Sequence, residues 1–270
     1  MKFPNAWCFL CLLAAVQAAE VRPVAATNAA TESPRNGRER FEAAIVWVQT
    51  AGEWRALSYQ GWQLARLRLE ALLPIPGTRP PAVIVDIDET VLDNSPYHAR
   101  ALVSAPGKVP PWSEWIDRAE APPMPGALEF LRYADGKGVE IFYVTNRTVR
   151  EKPPTLVNLR KFGFPQVDDT HVLERTAEAS KENRRGGIAA RFDILLLCGD
   201  NLNDFAEFNG KPLPERNAMV DALQAEFGTR FIVFPNPING DWEGALYVGR
   251  TATSDAERER LRHEQLRPYR

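Results

Sequence analysis

The chain has 270 residues, 44% hydrophobic and 25% charged, with a formal net charge of -2. This composition is ordinary for a globular protein, and the length suffices for one sizeable core. So small a net charge argues against a nucleic-acid polymer or an anionic membrane surface as partner, so any anion chemistry must come from a local site.

The first eighteen residues read as a secretory signal. Lys2 provides a positive start, Trp7 to Val16 is an apolar run, and Val16-Gln17-Ala18 suits a signal peptidase. A run of about ten apolar residues is too short for a membrane-spanning helix, which takes about 20. Neither Cys8 nor Cys11 is preceded by the small-residue box of a lipoprotein signal. Cleavage near Ala18 or Ala19 leaves Cys198 as the single thiol, so no internal disulfide is expected. The expected location is periplasmic or secreted, without a lipid anchor. Residues 19–37, rich in Ala, Thr, Asn and Pro, read as a flexible leader.

Between Arg38 and Leu73 the apolar residues Phe41, Ala44, Ile45 and Val48, then Trp62, Ala65, Leu69 and Leu72, recur at three and four. Gly52 and Gly61 interrupt this pattern, which predicts two helices with a break. An α/β alternation follows. Ala82–Asp86, Val139–Val144, Asp193–Cys198 and Arg230–Phe234 read as buried strands, with His171–Leu173 a weaker one. Pro125–Gly136, Thr155–Phe162, Ser180–Arg191 and Arg216–Phe227 read as the intervening helices. This order predicts a Rossmann-like, doubly wound parallel sheet, with the catalytic domain spanning residues 38–253 and a charged helical tail from 254 to 270.

In such sheets ligands sit at the carboxyl ends of the strands. Four polar clusters fall there: Asp86-Ile87-Asp88-Glu89-Thr90, Thr145-Asn146-Arg147, Ser180-Lys181, and Gly199-Asp200-Asn201-Leu202-Asn203-Asp204. Asp86, Asp88 and Asp200 can supply hard oxygen ligands for Mg²⁺. A carboxylate at a strand terminus can attack phosphorus. Lys181 and the cation would offset the repulsion between anions, Asp88 can serve as acid and then base, and Thr145 can hold phosphoryl oxygens.

The stretch Val85-Asp86-Ile87-Asp88-Glu89-Thr90, followed by Leu92-Asp93-Asn94-Ser95-Pro96-Tyr97, resembles the first motif of the haloacid dehalogenase (HAD) superfamily. More narrowly, the chain is similar to bacterial class C acid phosphatases, a group that includes outer-membrane lipoprotein 5′-nucleotidases. Phe142 to Arg147, Gly199 to Phe205, Trp242 to Leu246 and the helical start Val46 to Gln60 share in the resemblance, which covers residues 43–249. The resemblance implies an acid phosphatase hydrolysing small phosphomonoesters, including 5′-nucleotides, through an aspartyl-phosphate with Mg²⁺. It implies Asp86 as nucleophile and metal ligand. Asp88 would be general acid/base and a metal ligand through its carbonyl. Thr145 would hold phosphate with Asn146 and Arg147 beside it. Lys181 would be the third-motif lysine, Asp200 a metal ligand, and Asp204 an acid orienting the metal shell or the lysine. It also implies a small α-helical accessory domain and a homodimer.

The chain departs from that group at Asn239, where nucleotidase members often carry an aromatic residue that stacks on the base. Trp112 is the candidate for the other side of such a clamp. Dehalogenase chemistry fits poorly with Asp88 and Asp200, and no second lysine marks a phosphonatase. The alternative from another class is a catalytically silent protein of the same fold that binds a phosphate ester or a nucleotide.

Overall fold

The computed structural model describes residues 39–75, 77–105, 107–251 and 254–269. The signal segment and leader read from the sequence lie outside these residues. Helix α1 (Glu39–Thr50) presents the buried Ile45 and Val48. The break comes at Ala51, whose backbone is extended, and α2 (Gly52–Leu72) begins at the next residue. Gly61 does not interrupt α2. A Cβ there would lie 2.6 Å from the Phe234 ring, so this glycine instead admits the packing of Phe234 against Trp62, with centroids 4.3 Å apart.

Five strands form one parallel sheet: β1 (Pro81–Val85), β2 (Glu140–Thr148), β3 (Val172–Arg175), β4 (Asp193–Gly199) and β5 (Phe231–Val233). Their spatial order is β3-β2-β1-β4-β5, so β1 is central and the direction of winding reverses between β1 and β4. Side chains alternate between two buried clusters, as the two-residue period of a strand requires. Val83, Val85, Ile141, Tyr143, Leu196, Cys198 and Ile232 enter the larger cluster, with Trp62, Leu69, Phe130 and Leu159 from helices on that face. Ala82, Ile84, Phe142, Val144, Leu197 and Phe231 enter the smaller one, with Ile188. Both faces are therefore covered, which is why the strands read as continuous apolar runs.

Helices α3 (Ser95–Val103), α4 (Trp112–Arg118) and α5 (Ala127–Gly136) join β1 to β2. Helix α6 (Lys152–Phe162) leads to β3, α7 (Glu182–Ala189) to β4 and α8 (Leu213–Ala222) to β5. Helix α8 starts three residues before the predicted boundary because Pro214 suits a first helical turn. Beyond its end the chain turns irregularly, and Phe227 bridges to Phe231. After β5 come the single-turn α9 (Asp241–Gly244) and α10 (Asp255–His263). The charged tail is anchored: Leu261 is buried, and Arg262 donates to Glu243 at 3.1 Å and to the Tyr247 hydroxyl at 2.8 Å. The N-terminal helices share the sheet's main cluster, so the helical part and the sheet have a continuous core.

Candidate active site

The four polar clusters meet at the carboxyl edge of the sheet. Asp86 follows β1 directly, and its backbone N–H donates to the Cys198 carbonyl at 2.9 Å, extending the β1–β4 ladder up to the carboxylate. The chain then folds sharply. The N–H groups of Val91 and Leu92 both donate to the Ile87 carbonyl, and Glu89 adopts a left-handed φ of 59°. This loop sends Asp86 and Asp88 to different partners.

Asp86 lies against Lys181, whose ammonium also reaches Asp204 Oδ1 at 2.6 Å. Asp86, Asp200 and Asp204 each offer a carboxylate oxygen within 4.8 Å of the others. Burial pushes Asp86 up to about 7; Lys181 opposes this, while Asp204 and Asp88 add to it. Burial also raises Asp200, reinforced by Asp204 and Asp86 and opposed by the Asn236 amide. That amide donates to Asp200 Oδ2 at 2.7 Å. Two buried carboxylates and the half-buried Asp200, with one lysine among them, leave an excess of negative charge, and their oxygen-only donor set fits a hard divalent cation. Asp204 has both oxygens committed, one to Lys181 and the other to the Asn201 N–H at 2.9 Å. Asp200 is engaged on both oxygens as well, Oδ2 by the Asn236 amide and Oδ1 by the Thr90 hydroxyl at 3.3 Å, so the three carboxylates together form the group that could hold a cation.

The loop carrying Asp200 and Asp204 is shaped by two neighbours. Asn201 caps the short 3₁₀ turn Leu202–Asp204, accepting from the Asn203 N–H. Gly199 leaves room for Asp204, since a Cβ there would come within 2.2 Å of its carboxylate. Lys181 immediately precedes α7, and the buried Arg185 on that helix donates to the Asn203 carbonyl at 2.7 Å.

Asp88 stands apart from this cluster. The buried Arg147 donates to its Oδ1 at 2.7 Å from Nη2 and at 3.1 Å from Nε, and Asn94 donates at 2.9 Å. Trp115 in turn donates to Asn94 Oδ1 at 2.8 Å. Arg147 was expected beside the substrate, but its guanidinium is held between Asp88 and Thr155 Oγ1. The reason is that β2 continues through residues 145–148 rather than ending at Val144. Thr145 and Arg147 thus share one face of the strand, and Asn146 faces the other way, toward the cavity.

The cavity, about 400 Å³, is lined by Asp86, Asp88, Glu89, Asn146, Lys181 and Asp200, with Asn239 and Gly240 at one side. Trp112 does not line it; its ring packs edge-on against Tyr97, with centroids 5.0 Å apart. Asn239 hydrogen-bonds His98 Nε2 at 3.1 Å and Asn236 at 2.6 Å. Sequence reasoning assigned no role to Glu89, Asn94, Trp115 or Asn236. The first two lay inside the quoted motif, whereas Trp115 and Asn236 reach the site only through tertiary contacts.

Residues 11–242 match the model of the HAD superfamily, subfamily IIIB (acid phosphatase). The chain belongs to this family. It is similar to the class C acid phosphatase from Bacillus anthracis, at 43% identity with a TM-score of 0.82 over 86% of this chain and 99% of that one, in a structure with tungstate bound. A second structure of the Bacillus anthracis protein matches at 42% identity over 87% and 99% of the two chains, also with a TM-score of 0.82. Acid phosphatase 1 from Solanum lycopersicum is 29% identical over 45% of this chain and 50% of its own length. A stem 28 kDa glycoprotein from Glycine max is 27% identical over 45% and 51%. The match thus spans about half the length of these two plant relatives.

Proposed function

We propose that the chain is a Mg²⁺-dependent phosphomonoesterase acting through an aspartyl-phosphate on Asp86. The observation that carries this reading is the division of labour within Asp-x-Asp. Asp86 faces Lys181 and the acidic cluster, while Asp88 is held away from them by Arg147 and Asn94. The similar class C acid phosphatase from Bacillus anthracis binds the oxyanion tungstate, which agrees with phosphate-ester chemistry.

In the first step an Asp86 carboxylate oxygen attacks phosphorus and the bond to the leaving oxygen breaks. The Asp88 carboxyl hands its proton to that oxygen, so the product leaves as an alcohol. In the second step Asp88, now a carboxylate, takes a proton from water. The resulting oxygen attacks phosphorus, and the bond to Asp86 breaks to release orthophosphate. Lys181 offsets the charge on Asp86 and the phosphoryl group throughout. A bound Mg²⁺, held by Asp86, Asp200 and the Asp88 carbonyl, would neutralise further charge on the phosphoryl oxygens.

The leaving group has its own space. A second cavity of about 350 Å³ shares Asn239 and Gly240 with the first and is lined by Phe41, Ile45, Leu102, Val109 and Ile238. With Asn239 bonded to His98 and Trp112 packed elsewhere, no aromatic clamp for a base forms at these two positions. This favours small esters with an apolar group over tight nucleotide selection. Export agrees with the apolar run at Trp7–Val16, and a homodimer, checked by sedimentation, belongs with this reading.

The test is phosphate release from p-nitrophenyl phosphate, 5′-nucleotides and sugar phosphates, first with Mg²⁺ and then with excess chelator. Release that stops with chelator and returns with Mg²⁺ is expected, with the aryl ester ahead of the nucleotides. No release from any ester with metal present would sink the hydrolase in favour of a binding protein.

A further inference from the structure

We infer that Arg184 is a positioning residue that turns the side-chain amide of Asn146 toward the transferring phosphoryl group; this rests on the hydrolase reading above. Arg184 is half-buried on α7, three residues after Lys181. Its Nη2 donates to Asn146 Oδ1 at 2.8 Å and to the Ser180 carbonyl at 3.1 Å. Its Nη1 donates to the carbonyls of Thr145 and Leu173. One guanidinium therefore ties β2, which carries Thr145 and Asn146, to the entry to α7, which carries Lys181, with strand β3 as a further anchor.

A guanidinium has five N–H donors and no acceptor, so the Asn146 atom facing it must be the carbonyl oxygen. The amide NH₂ is then the end left for the cavity that Asn146 lines together with Asp86 and Lys181. Among the described residues no protein group accepts a hydrogen bond from that NH₂. Two N–H donors held at the cavity before substrate arrives suit the negative oxygens of a phosphoryl group in transfer. Without Arg184 the amide can rotate and present its oxygen, which repels them. A lysine cannot replace this fork, because a single ammonium cannot hold four carbonyl oxygens in one plane.

The experiment is a double-mutant cycle between Arg184→Met and Asn146→Ala, reading kcat, KM and Tm. Arg184→Met is expected to lower kcat about 10- to 100-fold with a smaller change in KM. In the Asn146→Ala background the same substitution should add less than about threefold, because its target is gone. Full multiplication of the two effects, or an unchanged kcat with only a lower Tm, would overturn the role. Should Arg184→Met fail to fold, Asn146→Asp decides. It keeps an acceptor for Arg184 but removes the N–H donors, so activity must fall with Tm retained, and retained activity refutes the proposal. Orthophosphate binding by calorimetry runs the same cycle without turnover. A wild-type protein that binds orthophosphate but releases none from esters would defeat the hydrolase reading, and the binding cycle would still decide the positioning role.

Discussion

Asp86 and Asp88 are separated by one residue, yet they occupy different electrostatic surroundings. Asp86 is buried with Asp204 against the Lys181 ammonium and clusters with the half-buried Asp200, so an additional positive charge there would relieve repulsion. Replacing its carboxylate by an amide removes one buried charge at nearly constant shape. Asp86→Asn is therefore expected to lower phosphate release by more than about a thousandfold while leaving Tm in chelator equal to or above wild type. The rise in Tm on adding Mg²⁺ should shrink in the variant, because a ligand that binds only the folded state stabilises in proportion to its affinity. Activity in a folded Asp86→Asn protein would exclude this residue as nucleophile. The types and order of Asp86, Asp88, Lys181 and Asp200 were legible in the sequence because the aspartates follow strand ends and Lys181 opens the helix after β3. The partners of Asp88 were not: Arg147 and Asn94 reach it by the path of β2 and the turn before α3, and neither follows from spacing.

At the scale of elements, β2 and β3 are clamped by His171, which pairs with Glu140 through Nε2 at 2.8 Å and with Asp168 through Nδ1 at 2.9 Å. Burial pulls the His171 pKa down, but hydrogen bonds to Glu140 and Asp168 outweigh it and the net shift is upward. Burial pulls Asp168 up, and the bonds from His171 and the Thr170 backbone outweigh it, so its net shift is downward. A raised histidine stabilises the fold below its unfolded value of about 6.5, and that contribution fades as pH rises through the folded value. A lowered aspartate stabilises above about 3.9 and loses that contribution as pH falls. The Tm gap between wild type and His171→Gln should therefore be widest below the unfolded histidine value of about 6.5 and close as pH rises past the raised folded value, as thermal melts across pH would show. A gap that widens at alkaline pH would contradict the clamp. The loop after β4 is limited sterically instead. Gly199→Ala places a Cβ against the Asp204 carboxylate and is expected to cost about 1–3 kcal/mol in denaturant melts, with loss of activity as Asp204 leaves Lys181.

Across the whole molecule, stability rests on the larger cluster, where α2 lies over β4 and β5 and also meets α5. Leu69, fully buried in that cluster, does not line the cavity. Leu69→Ala should cost about 2–5 kcal/mol in chemical denaturation while kcat of the folded enzyme holds. A large fall in kcat would show instead that this face transmits strain to the site. The strands, the helices that alternate with them from Pro125 onward, the parallel class and the polar residue types at the strand ends were legible in the sequence, because apolar periodicity and residue chemistry are local properties, whereas α3, α4 and the unbroken run of α2 through Gly61 were not. Helix boundaries at α8, the continuation of β2 to Thr148, the packing of Trp112 on Tyr97 and the fork of Arg184 were decided only in the tertiary structure. Each depends on which distant backbone or ring comes within a few ångströms, and spacing along a chain carries no record of that distance.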